Sequence, residues 1–272
     1  MTKKFFFGNS VGYKIEDYNT KKKLIDYLVS NVDIYKFKFK KIKKEKDLLK
    51  IKNNKYYIYP NIVGVNYIFL AKKIKNIYYA VLIDINNLDK INYNSIIVLS
   101  LKIRLTAKTY DGTIFDGKLV NLNGCSVFVI NDIYQLNGKE IKINYEKRID
   151  ILDDFIETNV ILDDSMNVIE FKVNQIYKLE DIDYLVNNKI KSSKHQITSL
   201  SFIPQDENYK YKYDICQVSE SNLTKVFLAK YLKTDVVILY GLENGKNKKI
   251  GVAHIPTIKC SKICSKHITD NT

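Results

Sequence analysis

The sequence predicts an α+β fold built on antiparallel sheets, and two apolar hairpins with one amphipathic helix predict it. Thr113–Val120 and Ser126–Ile130 are mostly apolar or β-branched runs joined by the short polar turn Asn121–Gly124. That spacing suits antiparallel pairing. Tyr67–Ala71 and Tyr78–Ile83 repeat the arrangement around the basic turn Lys72–Asn76. Within Lys14–Val32, apolar Leu24, Ile25, Leu28 and Val32 recur at helical spacing, and Glu16 and Asp17 stand near the start, where acids suit a helix N-terminus.

Composition bounds the rest. A chain of 272 residues, 46% hydrophobic and 27% charged, can bury a substantial core. The formal net charge of +14 favours an anionic partner, or else is the solubility bias of a Lys-rich chain. No stretch approaches the roughly 18 apolar residues of a membrane span. The start, MTKKFFFGNSVG, is too briefly apolar for a signal segment. The 4 Cys, with no secretory signal, are expected to be reduced thiols in a cytoplasmic setting. P-loop, G-x-G-x-x-G, G-x-S-x-G and H-E-x-x-H patterns are absent, and all 3 His follow residue 190, which leaves no His-based triad.

Taken in order, residues 1–55 form an α+β segment expected to pack on the core. Its basic run, Lys36–Lys50, alternates with Phe and Ile. It reads either as a backbone-tracking surface or as one solvated face of a strand or helix. Ser95–Leu105 reads as a buried strand. In the central hairpin, Asp116-Gly117 interrupts the strand pattern and marks a bulge or a close backbone approach. Asp116 and Asp132 are acids at strand ends that could serve one cleft or be solvated turn residues. Gln135–Lys139 is a turn, Glu146–Leu152 begins a helix, and 153–192 reads as helix-rich, with Leu179–Val186 its clearest amphipathic piece. His254, Cys260, Cys264 and His267 near the end lack the spacing of a usual zinc site.

DGKLV at 116–120 followed by FVINDIYQLNGK at 128–139 resembles the paired motifs III and IIIa of the covalent nucleotidyltransferases. These are the mRNA capping guanylyltransferases and polynucleotide ligases, and the closest flavour is the capping enzymes of large DNA viruses. Pro60-Asn61-Ile62-Val63-Gly64-Val65-Asn66-Tyr67 resembles motif I, P-K-x-D-G-x-R-Y, and Asn61 and Asp116 lie 55 positions apart, in keeping with the family. Thr198–Pro204 resembles motif IV. Phe227–Leu239 loosely resembles motif V, with Lys230, Lys233, Thr234 and Asp235. The resemblance spans about 55–240. It implies a nucleotidyltransferase core (ATP-grasp-like) of antiparallel sheets flanked by helices. The expected layout is an N-terminal segment 1–55, the degenerate domain 56–240 and a basic tail 241–272, with too little chain after motif V for an OB-fold.

The resemblance also implies where chemistry has been lost. Asn61 stands at the nucleophilic lysine, and an amide nitrogen does not attack phosphorus. Val63 replaces an acid and Asn66 an arginine. Lys118 reverses the charge of the motif III glutamate and cannot bind a divalent cation; it reads as a solvated strand residue. Thr198 replaces the motif IV acid. Gly64, Gly117 and the motif IIIa acid Asp132 remain, with Arg148 where the family often has an arginine. The expectation is an inactive protein, without metal or cofactor, that binds RNA, a nucleotide or a partner in viral mRNA capping or transcription, in the cytoplasm, a viral factory or a virion. The alternative is an active guanylyltransferase or ligase that uses GTP or ATP with Mg²⁺ or Mn²⁺ through another lysine. A third reading is a structural or virion-associated protein.

Overall fold

The computed structural model describes residues 4–7, 10–43, 45–52, 55–90, 92–122, 125–163, 167–193, 195–205, 209–215, 228–233, 236–243, 246–252 and 261–262. The chain divides into two compact units, Met1–Cys216 and Gln217–Thr272.

The first unit opens with strands β1 (Lys4–Phe7) and β2 (Ser10–Lys14). Helix α1 (Tyr18–Asn31) follows, as its periodicity predicts. Asp17 caps it, its carboxylate accepting the Thr20 amide at 2.7 Å, which satisfies one of the free N–H groups of the first turn. Next come β3 (Lys40–Lys41) and α2 (Glu45–Lys52). Strand β4 (Tyr56–Ile62) bends at Val63–Gly64 into β5 (Val65–Ile74), and β6 (Ile77–Asp84) returns beside β5.

The expected strand over Ser95–Leu105 shortens to β7 (Val98–Ser100). Its alternation is genuine: Leu101, Ile103 and Leu105 are buried between exposed Lys102 and Arg104. The backbone beyond β7 instead bonds Ile161 and Val168, through Val168 N to Lys102 O and Ile161 N to Arg104 O. Strands β8 (Thr113–Leu122) and β9 (Cys125–Leu136) form the central hairpin. The Asn137-Gly138 turn, with φ of 50° and 80°, leads into β10 (Lys139–Glu140). Helix α3 (Tyr145–Asn159) is capped by Asn144, whose side chain accepts the Lys147 amide at 3.0 Å. Two short strands, β11 (Glu170–Val173) and β12 (Tyr177–Lys178), enter the stretch expected to be helix-rich. Helical turns then run from Leu179 to Ile190, and α4 (Ile182–Tyr184) is their central part. Strands β13 (Ile197–Pro204) and β14 (Tyr211–Asp214) complete the unit. In the second unit, β15 (Leu228–Lys233), β16 (Val236–Glu243) and β17 (Lys246–Val252) form an antiparallel meander.

The larger sheet has the order β1-β2-β7-β6-β5-β8-β9-β10, with β11 added parallel to β9. The other sheet of the first unit has the order β12-β4-β13-β14-β3, antiparallel except where β3 joins β14. One apolar core draws on both sheets: Tyr57 and Tyr59 of β4, Ile203 of β13, Phe69 of β5, Phe115 of β8 and Phe128 of β9. Phe115 is its centre. It stacks on Phe69 at 4.4 Å and meets the edges of Phe155 and Phe171, each at 5.6 Å. A second core packs α1 on the other face of the larger sheet, against Ile68, Leu70, Val81 and Ile114. Residues 1–55 thus contribute strands and a helix to this unit. Among the described residues no helix is long and apolar enough to cross a membrane.

Both motif glycines sit where chains approach closely. A Cβ on Gly64 would lie 2.6 Å from the Leu119 carbonyl oxygen, and one on Gly117 would lie 2.4 Å from the Val129 carbonyl oxygen and 2.7 Å from the Phe128 ring. Neither backbone oxygen can move without disturbing its strand. Gly117→Ala is therefore expected to cost on the order of 2–4 kcal/mol, read as a lower midpoint in urea denaturation.

Candidate functional site

The motif residues converge where the central hairpin meets β4 and β13. Asp116 on β8 stands directly opposite Asp132 on β9. Two like charges so placed repel, and both are buried, at 4% and 1% exposure. They are neither at strand ends nor solvated. The predicted irregularity is present beside them, but the extra residue lies on the facing strand: Gly117 pairs with Ile130 and Asn131 is passed over. Asn131 is buried there. Its side chain accepts the Asn174 amide at 2.9 Å, and its carbonyl accepts the Tyr145 hydroxyl at 2.8 Å.

The Asp132 carboxylate is fully engaged. Arg148 of α3 donates Nε to Oδ1 at 2.7 Å and Nη2 to Oδ2 at 3.1 Å. Lys210, just before β14, donates to Oδ2 at 3.3 Å, and the Ile133 amide donates to Oδ1 at 2.9 Å. Lys210 also donates to the Tyr134 hydroxyl at 3.0 Å, and Tyr134 in turn bonds the Asp116 carboxyl. The other Asp116 oxygen, Oδ1, has no partner among the described residues. Burial, with help from the Asp132 charge and against the pull of Lys210, raises the Asp116 pKa to about 7. A neutral carboxyl tolerates a bare oxygen better than a carboxylate does.

Asn61 points into the same interior, where its Nδ2 donates to the Ser201 hydroxyl at 2.6 Å. Asn61, Ser199 and Ser201 are all buried. Thr198, half-buried beside them, donates its hydroxyl to the Asn61 carbonyl at 3.3 Å. Asn66 is exposed, and in the strand register it faces Lys118. Lys118 departs from expectation: it is buried at 8% exposure, not solvated, and its ammonium reaches the Ile62 carbonyl at 3.1 Å. Burial first, then the nearby Lys212 charge, lowers its pKa to about 8. Lys230 lies on β15 of the second unit, and Lys233 ends that strand. Asp235, Thr234 and the tail residues His254, Cys260, Cys264 and His267 lie outside the described residues.

Among the described residues no group of three or more His, Cys, Asp or Glu is placed to hold a metal ion, and the two acids here are held by Arg148, Lys210 and Tyr134. Most of the site's polar side chains bond one another; Asp116 Oδ1 and the Ser199 hydroxyl have no hydrogen-bond partner among the described residues. Lys210, Ser201 and Tyr134 supply much of that closure, and no motif or spacing in the sequence singles them out.

No family model matches the chain. An uncharacterised protein, L308, of Acanthamoeba polyphaga mimivirus is 27% identical over 259 residues, covering 93% of this chain and 78% of that protein. Solved structures of low similarity include Pmar-Lig_PreS3 (9% identity, TM-score 0.40), a Lig E DNA ligase (12%, 0.36) and a Chlorella virus DNA ligase–adenylate (9%, 0.35). They cover 83%, 79% and 84% of this chain, and 59%, 84% and 86% of their own. The chain thus spans about three-fifths of the first of these, at 59%.

The buried charges lead to two expectations for stability. Arg148→Met should cost on the order of 3–5 kcal/mol, because it leaves Asp132 buried beside a single cation; combining it with Asp132→Asn should recover part of that loss in chemical denaturation. Asp116 binds its proton more tightly folded than unfolded. Its contribution is therefore fully present below the unfolded value of 3.8 and is lost as pH rises through about 7. Asp116→Asn should remove that dependence, so that its thermal midpoint gains on the parent by several degrees between pH 5 and pH 8.

Proposed function

We propose that this chain is a nucleotidyltransferase-like protein that has lost phosphoryl transfer and acts by binding, with RNA as its partner. The observation that carries this reading is the self-satisfied interior. The residue at the nucleophile position is an amide bonded to Ser201, Asp132 is neutralised by Arg148 and Lys210, and burial raises the Asp116 pKa to about 7. Catalysis needs charges held ready for a ligand; these are already spent on one another. The excess of positive charge then has its use on the surface, where phosphates are the matching partner. The motif frame on β4, β8, β9 and β13 supports kinship with capping enzymes and ligases. The viral relative supports a viral setting; the place in mRNA capping or transcription, in the cytoplasm or viral factory, follows from the motif resemblance alone.

Lys118 supports a second reading, an active enzyme with a displaced nucleophile. Its ammonium sits against the strand that carries Asn61, and burial makes the neutral amine accessible near neutral pH. Incubation with α-labelled GTP or ATP and Mg²⁺ or Mn²⁺, followed by a denaturing gel, separates the two. The expected outcome is no covalent label. A label abolished by Lys118→Arg would replace the first reading with the second.

A further inference from the structure

We infer that single-stranded nucleic acid runs along one basic and aromatic strip, formed by the 35–43 segment and the chain entering and forming β14. The inference rests on the binding role proposed above and names the surface that performs it. The run Lys36-Phe37-Lys38-Phe39-Lys40 divides by side. Phe37 is buried, edge-on to Tyr134 at 5.0 Å, and Phe39 packs against the inter-sheet core. Lys36, Lys38, Lys40, Lys41 and Lys43 are exposed. The aromatics of the run are therefore anchors, and they fix the lysines outward.

Other rings supply the outer face. Tyr35 is 68% exposed, Tyr209 63% and Tyr213 46%. Each presents ring area to solvent on which a base could stack. The two segments are bound together: β3 joins β14 in parallel, with Tyr211 opposite Lys40 and Lys212 opposite Lys41. The Lys40 ammonium lies over the Tyr209 ring, and the Lys38 ammonium lies over Tyr35 at 4.8 Å. Exposed ammonium groups and rings are thus interleaved on two paired segments. Asp214 offsets part of the charge, pairing with Lys41 at 2.8 Å and Lys212 at 3.9 Å, and Lys36 lies 3.9 Å from Glu140.

That interleaving selects the partner. Phosphates need the lysines, and only unstacked bases can use exposed ring faces. A duplex presents phosphates but hides its bases. An acidic peptide would use the lysines and leave the rings idle. From Lys38 to Lys43 the extended chain spans about 17 Å at about 3.3 Å per residue, enough for several nucleotides. Lys210 joins the strip to the interior: its neighbour Tyr209 faces out, while its own ammonium is held by Asp132.

The test is fluorescence anisotropy of the full chain with a labelled 12-residue oligouridylate, an oligothymidylate of equal length and a duplex, across a salt series. Wild type is expected to bind both single strands more tightly than the duplex. Lys38→Ala/Lys40→Ala/Lys43→Ala should weaken binding at least tenfold and reduce the salt slope by about 0.7 for each phosphate no longer neutralised. Tyr35→Ala/Tyr209→Ala should weaken single-strand binding several-fold with the slope unchanged. Unchanged thermal midpoints show that both variants fold. Wild-type binding that neither variant alters would overturn the strip and leave the RNA-binding role standing, as would Lys72→Ala/Lys73→Ala weakening binding in its place. Equal affinity for duplex would overturn the stacking argument. No binding to any strand would remove the binding role itself.

Discussion

The rest of this structure depends on how Asp132 is neutralised. A carboxylate at 1% exposure is costly unless charge and hydrogen bonds surround it. Arg148 comes from α3, Lys210 from the entry to β14, and the Ile133 amide from β9 itself. The clamp therefore ties the central hairpin, the helix beneath it and the edge of the smaller sheet at one point. Asp116 stands opposite and would strain the arrangement if fully ionised; its raised pKa, to about 7, relieves the repulsion. The same cluster fastens the sheets together and leaves Asp132 no free charge.

Much of the architecture was legible in the sequence, because it follows from periodicity. Alternating apolar residues marked both hairpins, helical spacing marked α1, and Asp116-Gly117 marked an irregular strand. What failed was any statement that depended on distant partners. Lys118 looked solvated because its neighbours in sequence gave no reason to bury it; the reason is the Ile62 carbonyl on another sheet. Lys210 was invisible, one among 44 basic residues, until folding set it beside Asp132, 78 positions away in the chain. The bulge was expected at Asp116-Gly117 and fell on Asn131, since Gly117 lets the two strands approach while the facing strand takes up the extra residue.

The basic run shows the same limit in finer detail. Its Phe and Lys alternation was consistent with a surface that tracks phosphate and equally with a strand that has one wet face. The structure shows the wet face: its described lysines are exposed. Phe37 and Phe39 are core residues, so the stacking surface cannot be made of them; exposed Tyr35, Tyr209 and Tyr213 stand on the outer side instead. A phenol tolerates water at its hydroxyl while offering a ring face, and a phenyl ring does not. The distribution of these two residue types between inside and outside is therefore physical and could be anticipated once the strand direction was known.

Closure inside and charge outside are connected. Where polar groups already bond one another, as they do around Asp132, a new ligand contact must first break an old one. A surface carrying an uncompensated +14, by contrast, stores repulsion that any polyanion relieves. The energetic gradient for ligand binding thus points from the centre of this molecule to its edge. Chemistry of the nucleotidyltransferase kind needs the opposite arrangement, with unsatisfied charge in a shielded cleft. On the binding reading proposed above, the fold is a scaffold that holds β3 and β14 in register beneath the lysines and tyrosines they display.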